Sequence, residues 1–313
     1  MDSAGLLTRI QMSRRAWLLF ALLSVLWGVP YLMIKVAVAE VSVPFLVFAR
    51  SAVGAAVLLP IAVRDHGFAR LSGHWIPVAA FALVELIVPW GLLAHGEIRL
   101  NSSTAGLLVA TTPIITVMLG SMLGGSEPLG AVPRTGLAVG FAGVAALAGP
   151  ELGGDFRSVV EIVVAAACYA CGSIVAARWL KNVPATPMTV ACLTLAAAVY
   201  LPSALMTWPH SLPSPRVIAA IVSLGVACTA LAFAAFFLLI REVGAERAVV
   251  ITYVAPAVAV AAGVSMLSEP LDVRLVLSFV LILCGSYMAT RRTAAPVKAQ
   301  AREGETVDVL RQH

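Results

Sequence analysis

The chain has 313 residues, of which 60% are hydrophobic and only 12% charged. Soluble domains carry roughly 25% charged residues, and a folded sphere of this size cannot hide so much apolar surface. This excludes a soluble enzyme, a nucleic-acid-binding protein and a disordered regulator, and leaves a polytopic membrane protein with the lipid bilayer as its first partner. The net charge of +5 then becomes a question of which loops hold the Lys and Arg.

A spanning helix needs about 20 mostly apolar residues. Ten stretches poor in charge and bounded by turn residues meet that need: 16–38, 43–63, 74–95, 102–123, 133–150, 158–180, 187–207, 216–240, 248–267 and 274–290. The expected fold class is all-α integral membrane with ten transmembrane helices. Residues 1–15 precede the first span, and the polar tail 291–313 is expected to be mobile. Arg14-Arg15, an apolar run and Ala37-Val38-Ala39 imitate a signal peptide. The run is too long for that and has a counterpart in the second half, so it is read as the first span.

Ten spans place both termini on one side. With both inside, the outer loops hold only Arg99, Arg157, Arg216 and Arg274 of the 21 Lys and Arg. Lys35 and Arg50 lie within spans, and the rest are inner. This asymmetry fits N-in/C-in. Trp17, Trp75, Trp179 and Trp208 fall at span ends, where an indole prefers the interface.

The chain repeats at a spacing of about 142 residues. Ser126-Glu127-Pro128-Leu129 returns as Ser268-Glu269-Pro270-Leu271. Pro113 matches Pro256, Pro44 matches Pro187, Pro60 matches Pro202, Gly143 matches Gly285, and Lys35 aligns with Arg178. Five spans per half mean that the second copy enters the membrane from the opposite side. The halves are thus expected at 16–150 and 156–290 as inverted repeats, with a solute bound near the midplane.

The run from Thr104-Ala105-Gly106-Leu107-Leu108 through Pro113, Ser126-Glu127-Pro128-Leu129 and Gly140 to Val144 resembles the end of a repeat of the EamA family, within the drug/metabolite transporter superfamily. So does the run from Gly244-Ala245-Glu246-Arg247-Ala248 through Pro256, Glu269 and Gly285. Trp27-Gly28 and Arg50 also fit. The resemblance implies a 5+5 inverted bundle in the bacterial inner membrane. It also implies transport, commonly export, of amino acids or other small metabolites, with proton coupling in some members. The segment Trp90 to Glu97 departs from the polar-to-aromatic motif that many members carry there.

Glu85 is the acidic side chain nearest the middle of a span. A carboxylate in hydrocarbon costs about 2.5–3.5 kcal/mol on insertion scales, so it should face the bundle interior. It is either a coupling group for protons or a site for a substrate amine, or else a structural partner for Arg50 or a neighbouring helix. Arg50, two turns into its span, is read as a gate or ion-pair residue or an anchor. Lys35 and Arg178 are read as snorkelling anchors. Pro113 and Pro256 each remove a donor and free a carbonyl, tolerated in a membrane only inside protein or on a cavity. With Thr112, Thr252 and Tyr253 beside them, they mark a candidate solute pocket, the alternative being a kink whose Thr repairs the ladder. Trp27, Tyr31, Trp90 and Tyr169 are candidate pocket aromatics. The small-residue stretches Gly136–Gly143 and Ala165–Gly172 are read as helix packing.

Five cysteines, including Cys168 and Cys171 as C-x-x-C, lie in apolar runs. They are read as packing residues, with no disulfide, metal or cofactor. No P-loop or catalytic motif is present. A membrane-embedded enzyme or a non-transporting subunit are the alternatives to a transporter of a small solute, with protons as a candidate second ligand.

Overall fold

The computed structural model describes residues 13–64, 67–123, 129–149, 155–244, 248 and 250–290. Among these, ten long helical segments follow in chain order: α1 (Arg14–Ala37), α2 (Val43–Arg64), α3 (Trp75–Arg99), α4 (Ser102–Met122), α5 (Ala131–Ala148), α6 (Phe156–Trp179), α7 (Ala185–Met206), α8 (Pro215–Val243), α9 (Ile251–Leu267) and α10 (Val273–Thr290). Nine are long and apolar enough to cross a membrane, and α9 is shorter but equally apolar. A 3-10 turn, Gly67–Leu71, links α2 to α3.

Several ends differ from the sequence reading. The first helix starts at Arg14, not 16, because the Ser13 hydroxyl accepts from Ala16 N at 3.0 Å and caps it. The third runs to Arg99, not 95, which brings Glu97 into the helix. The eighth continues past 240 to Val243, where Gly244 at φ 83° stops it. The fifth ends at Ala148. Residue 150, the first Ser-Glu-Pro of the repeat at 126–128, and the tail 291–313 lie outside the described residues. Hydropathy locates lipid contact, whereas these ends are set by polar groups bonded beyond the apolar stretch.

Some helices are broken. The first turns at Val29 before Pro30, which has no N–H to donate. The fourth turns at Ala110 and Thr111 before Pro113. The third and eighth instead carry wide, π-type turns at Leu83–Ile87 and Val226–Leu231.

The packing has a pattern. Helix α2 lies on α7, α4 on α9, and α5 on α10, each pairing equivalent helices of the two halves. Several further contacts come in exchanged pairs: α3 with α6 as α8 with α1, and α4 with α6 as α9 with α1. The α5–α10 crossing brings the two backbones close, as its glycines predict. A Cβ on Gly136 would run into Ala289 N and Gly285 O, and one on Gly285 would run into Gly140.

Polar contacts gather at two ends. One end, here named for Glu269, joins Ser102, Lys35, Glu97 and Arg274. The other, named for Thr290, joins Ser13 and Arg15 of α1 to Glu242 of α8, and Tyr253 to Thr290. Between them the bundle is apolar apart from a few charged and aromatic side chains. Trp17, Trp75, Trp179 and Trp208 are each about half exposed at helix ends.

Candidate functional site

The site begins with the wide turn in α3. There Val88 N–H reaches back to Leu83 O, one residue further than in an α-helix. The counterpart in α8 stands 143 residues on, with Cys228 where α3 has Glu85. Turns of this kind gather at functional sites because they leave backbone carbonyls to be satisfied from the side. Both are satisfied here. The Tyr200 hydroxyl of α7 donates to Ile87 O at 2.8 Å, and the Thr229 hydroxyl donates to Leu224 O at 2.7 Å.

Glu85 points into the bundle. Its carboxyl fills the space beside Gly172 of α6, where a Cβ would collide with Oε2. That oxygen is buried and has no hydrogen-bond partner. No ion pair within 4 Å joins Glu85 to Arg50 among the described residues, so the reading of Glu85 as Arg50's structural partner does not hold. Gly172 is therefore more than a packing residue, because it makes the room for this carboxyl.

Arg50 of α2 is 5% exposed. Its guanidinium carbon lies 3.7 Å from the ring centre of Trp90, itself 8% exposed. Its contacts are thus inside the bundle. Tyr169 of α6 stands within electrostatic reach of Glu85, Arg50 and Tyr31, and Tyr31 packs on Gly106 of α4. Five of the residues picked from sequence (Tyr31, Arg50, Glu85, Trp90 and Tyr169) thus surround one region, contributed by α1, α2, α3 and α6.

The others lie apart from it. Trp27 packs its ring against Phe236 of α8 at 4.8 Å between centroids, within an apolar cluster. Beside Pro113, the Thr112 hydroxyl donates to Val109 O at 2.7 Å, the carbonyl that the proline leaves without its usual donor. Pro256 sits inside an unbroken α9, with Thr252 and Tyr253 in the first turn. The Tyr253 hydroxyl shares a 2.8 Å hydrogen bond with Thr290, the last residue of α10. That places Tyr253 at a helix end rather than at mid-depth.

Lys35 is bonded within the protein. Its ammonium donates to Glu97 O at 2.7 Å and to Leu100 O at 2.9 Å, closing the C-terminus of α3. Glu97 is fully buried, and neither carboxylate oxygen has a hydrogen-bond partner. Lys35, Glu269 and Arg50 are the charges within its reach. Nearby, His95 Nδ1 and Glu161 lie 2.6 Å apart, and Glu161 also accepts from Arg157 at 2.9 Å.

Two acids hold the loops at this end. Glu269 takes four hydrogen bonds from Ser102 and Ser103. Burial pushes its carboxyl up, but those bonds outweigh it and hold the group below the usual carboxylate range. Glu40 accepts from Ser214 N and Oγ, each at 2.7 Å, and these bonds likewise keep it low. An open hollow of about 660 Å³ lies beside Glu40, bounded by Thr207, Trp208 and Pro213. It contains none of the candidate solute-site residues.

Glu97, Lys35 as a cap and Glu269 are the polar residues that sequence reasoning passed over. Ending the third span at 95 put Glu97 in a loop. The repeated Ser-Glu-Pro-Leu is the sequence signal for Glu269, but it marks the repeat and the family resemblance rather than a cap.

Comparison with known proteins agrees with this architecture. Residues 15–149 and again 157–291 match the EamA-like transporter family. The uncharacterized inner membrane transporter YedA of Escherichia coli (strain K12) is 30% identical over 299 residues, 89% of this chain and 94% of YedA. The uncharacterized transporter YvbV of Bacillus subtilis (strain 168) is 28% identical over 292 residues, covering 90% and 93%. A probable terminal-alkyne amino-acid exporter of Streptantibioticus cattleyicolor is 26% identical over 289 residues, covering 91% and 96%. A solved crystal structure shares the fold with a TM-score of 0.62 at 21% identity, covering 89% of this chain and 99% of that one. Ten apolar helices and a family match over both halves make this a multi-pass membrane protein, and the chain belongs to the EamA-like transporter family.

Proposed function

We propose that the protein is a secondary transporter exporting small organic solutes, amino acids or related compounds, across the inner membrane by proton-coupled alternating access. The observation that carries this reading is Glu85: a buried carboxyl with an unpartnered oxygen, held in a wide turn that recurs at the same place in the other half. A carboxylate in an apolar interior is costly and a protonated carboxyl is not, so gain or loss of a proton at Glu85 would bias the bundle between states, which is what coupling requires.

The two halves act as inverted five-helix repeats, with both termini inside. The exchanged packing of α1 through α10 supports this, because two equivalent arrangements of the same contacts give inward-open and outward-open states. The charge asymmetry of the loops supports an orientation with the Glu269 end outside. A relative named as an amino-acid exporter supports the substrate class.

The test is flux in proteoliposomes. The wild type is screened against a panel of amino acids, with and without an imposed pH gradient, and compared with Glu85→Gln. The expected result is a wild-type flux that responds to the gradient and a mutant flux that does not. A mutant that responds like the wild type makes Glu85 structural. No movement of any amino acid removes the substrate assignment.

A further inference from the structure

We infer that Arg50 and Trp90 form a carboxylate-binding subsite, so that the solute carried is a small organic carboxylate, α-amino acids included. This rests on the transporter reading and specifies which group of the solute is recognised.

The starting point is a charge without a partner. A guanidinium is ionised at every accessible pH, and Arg50 is 5% exposed. Among the described residues no carboxylate lies within ion-pair distance of it. Its Nε is buried with no acceptor. Buried donors in native proteins almost always have a partner, and those that do not need a reason. Acids are not lacking nearby. Glu97 is buried within electrostatic reach of Arg50, yet both its oxygens are themselves unpartnered. The fold thus keeps a buried cation and a buried acid apart instead of pairing them.

The geometry says what Arg50 can take. Trp90 covers one face of the guanidinium at 3.7 Å, a contact that satisfies the cation's face but none of its N–H groups. The donors lie in the guanidinium plane, directed away from the stack. A planar two-oxygen acceptor fits such an edge with two parallel hydrogen bonds, and a carboxylate has that shape. Tyr169 and Cys228 lie within electrostatic reach of the same side chain, and neither can supply two acceptor oxygens. No acceptor among the described residues takes this edge, which leaves it for an acceptor from outside the protein.

The test uses full-length protein in detergent micelles and reads ligand-dependent thermal stabilisation. The probes are leucine, 4-methylpentanoate and 3-methylbutylamine, with matched trios for phenylalanine and lysine. Each trio comprises the amino acid, the acid without its amine, and the amine without its carboxylate. The expected result is stabilisation by at least one amino acid and its matched acid, and none by the corresponding amine. Arg50→Lys keeps the charge but loses the two-pronged edge, and should weaken that binding at least about tenfold. Amines that bind as well as their amino acids, no binding by any carboxylate, or undiminished binding by Arg50→Lys each overturn the subsite. Should Arg50→Lys not fold, the comparison within each trio on the wild type decides alone. Flux of amines in vesicles would leave the transporter standing without this subsite. Carboxylate binding with no flux would leave the subsite without the transporter.

Discussion

Glu269, in the loop before α10, holds both carboxylate oxygens on the start of α4: Oε1 on Ser102 N and Oγ, each at 2.8 Å, and Oε2 on Ser103 N at 2.9 Å and on its hydroxyl. A residue of the second half thereby caps a helix of the first. The first N–H groups of a helix lack internal acceptors and carry partial positive charge, so an anion there is doubly favourable. The same carboxylate meets the open side of Gly263, where a Cβ would strike Oε2.

This cap has a pH signature. The folded carboxyl titrates below its ordinary value of about 4.3. Its contribution is therefore complete above that value and is lost as the pH falls through the lowered one. Glu269→Gln should lower the melting temperature at neutral pH, at a cost of roughly 1.5–3 kcal/mol for the charged hydrogen bonds. Melting curves from pH 7 downward should show the wild-type advantage shrinking once the pH drops below the ordinary carboxylate range. An advantage that stays constant to low pH would contradict the assignment.

Lys35 carries a second cap, at the other terminus of a helix. Lys35→Met leaves the Glu97 and Leu100 carbonyls without their donor and should cost about 1–3 kcal/mol. Lys35→Arg, which also donates to carbonyls, should recover part of it. Thermal unfolding in detergent distinguishes this from a headgroup anchor, whose removal would leave the micellar protein unchanged.

Gly172 and Glu85 should be coupled. A Cβ at Gly172 has no room beside the Glu85 carboxyl, so Gly172→Ala alone should destabilise by about 1–3 kcal/mol. In the Glu85→Ala background that penalty should largely disappear. A double-mutant cycle reads the difference, and additive penalties would show that the two do not share the space.

The α5–α10 crossing makes the simplest steric prediction. Gly285→Leu forces the helices apart, since even a Cβ meets Gly140 backbone. Loss of the folded peak in size-exclusion chromatography is expected, whereas Cys284→Ala next to it, on an exposed position, should elute as the wild type.

The fold was legible because its signals are periodic or compositional. Ten apolar stretches, the matched Ser-Glu-Pro-Leu and the paired prolines found every long helix. The gathering of Arg50, Glu85, Trp90 and Tyr169 was partly legible, since each is unusual within an apolar run. What sequence could not give was direction and partner. Nothing local says that Thr112 turns to Val109 O, or that Tyr253 reaches Thr290. Glu97 was lost because an apolar window ends where lipid ends, while a helix ends where its carbonyls are capped, and Lys35 caps α3 from another helix.

The wide turn in α3 amounts to one residue more than an α-helix would hold. Residues beyond Ile87 therefore occupy the angular places of their predecessors, and Trp90, fifth after Glu85, takes the place of the fourth. The two then stand about 40° apart around the helix axis, although a regular helix would set them about 140° apart. A one-codon deletion at Val84 should restore ordinary pitch, leave the helix on either side of the turn in register, and move Glu85 by about 100° relative to Trp90. Glu85 would leave Gly172 while Trp90 stayed under Arg50. The register of a single turn thus decides whether acid and cation address one solute or two unrelated places in the bundle.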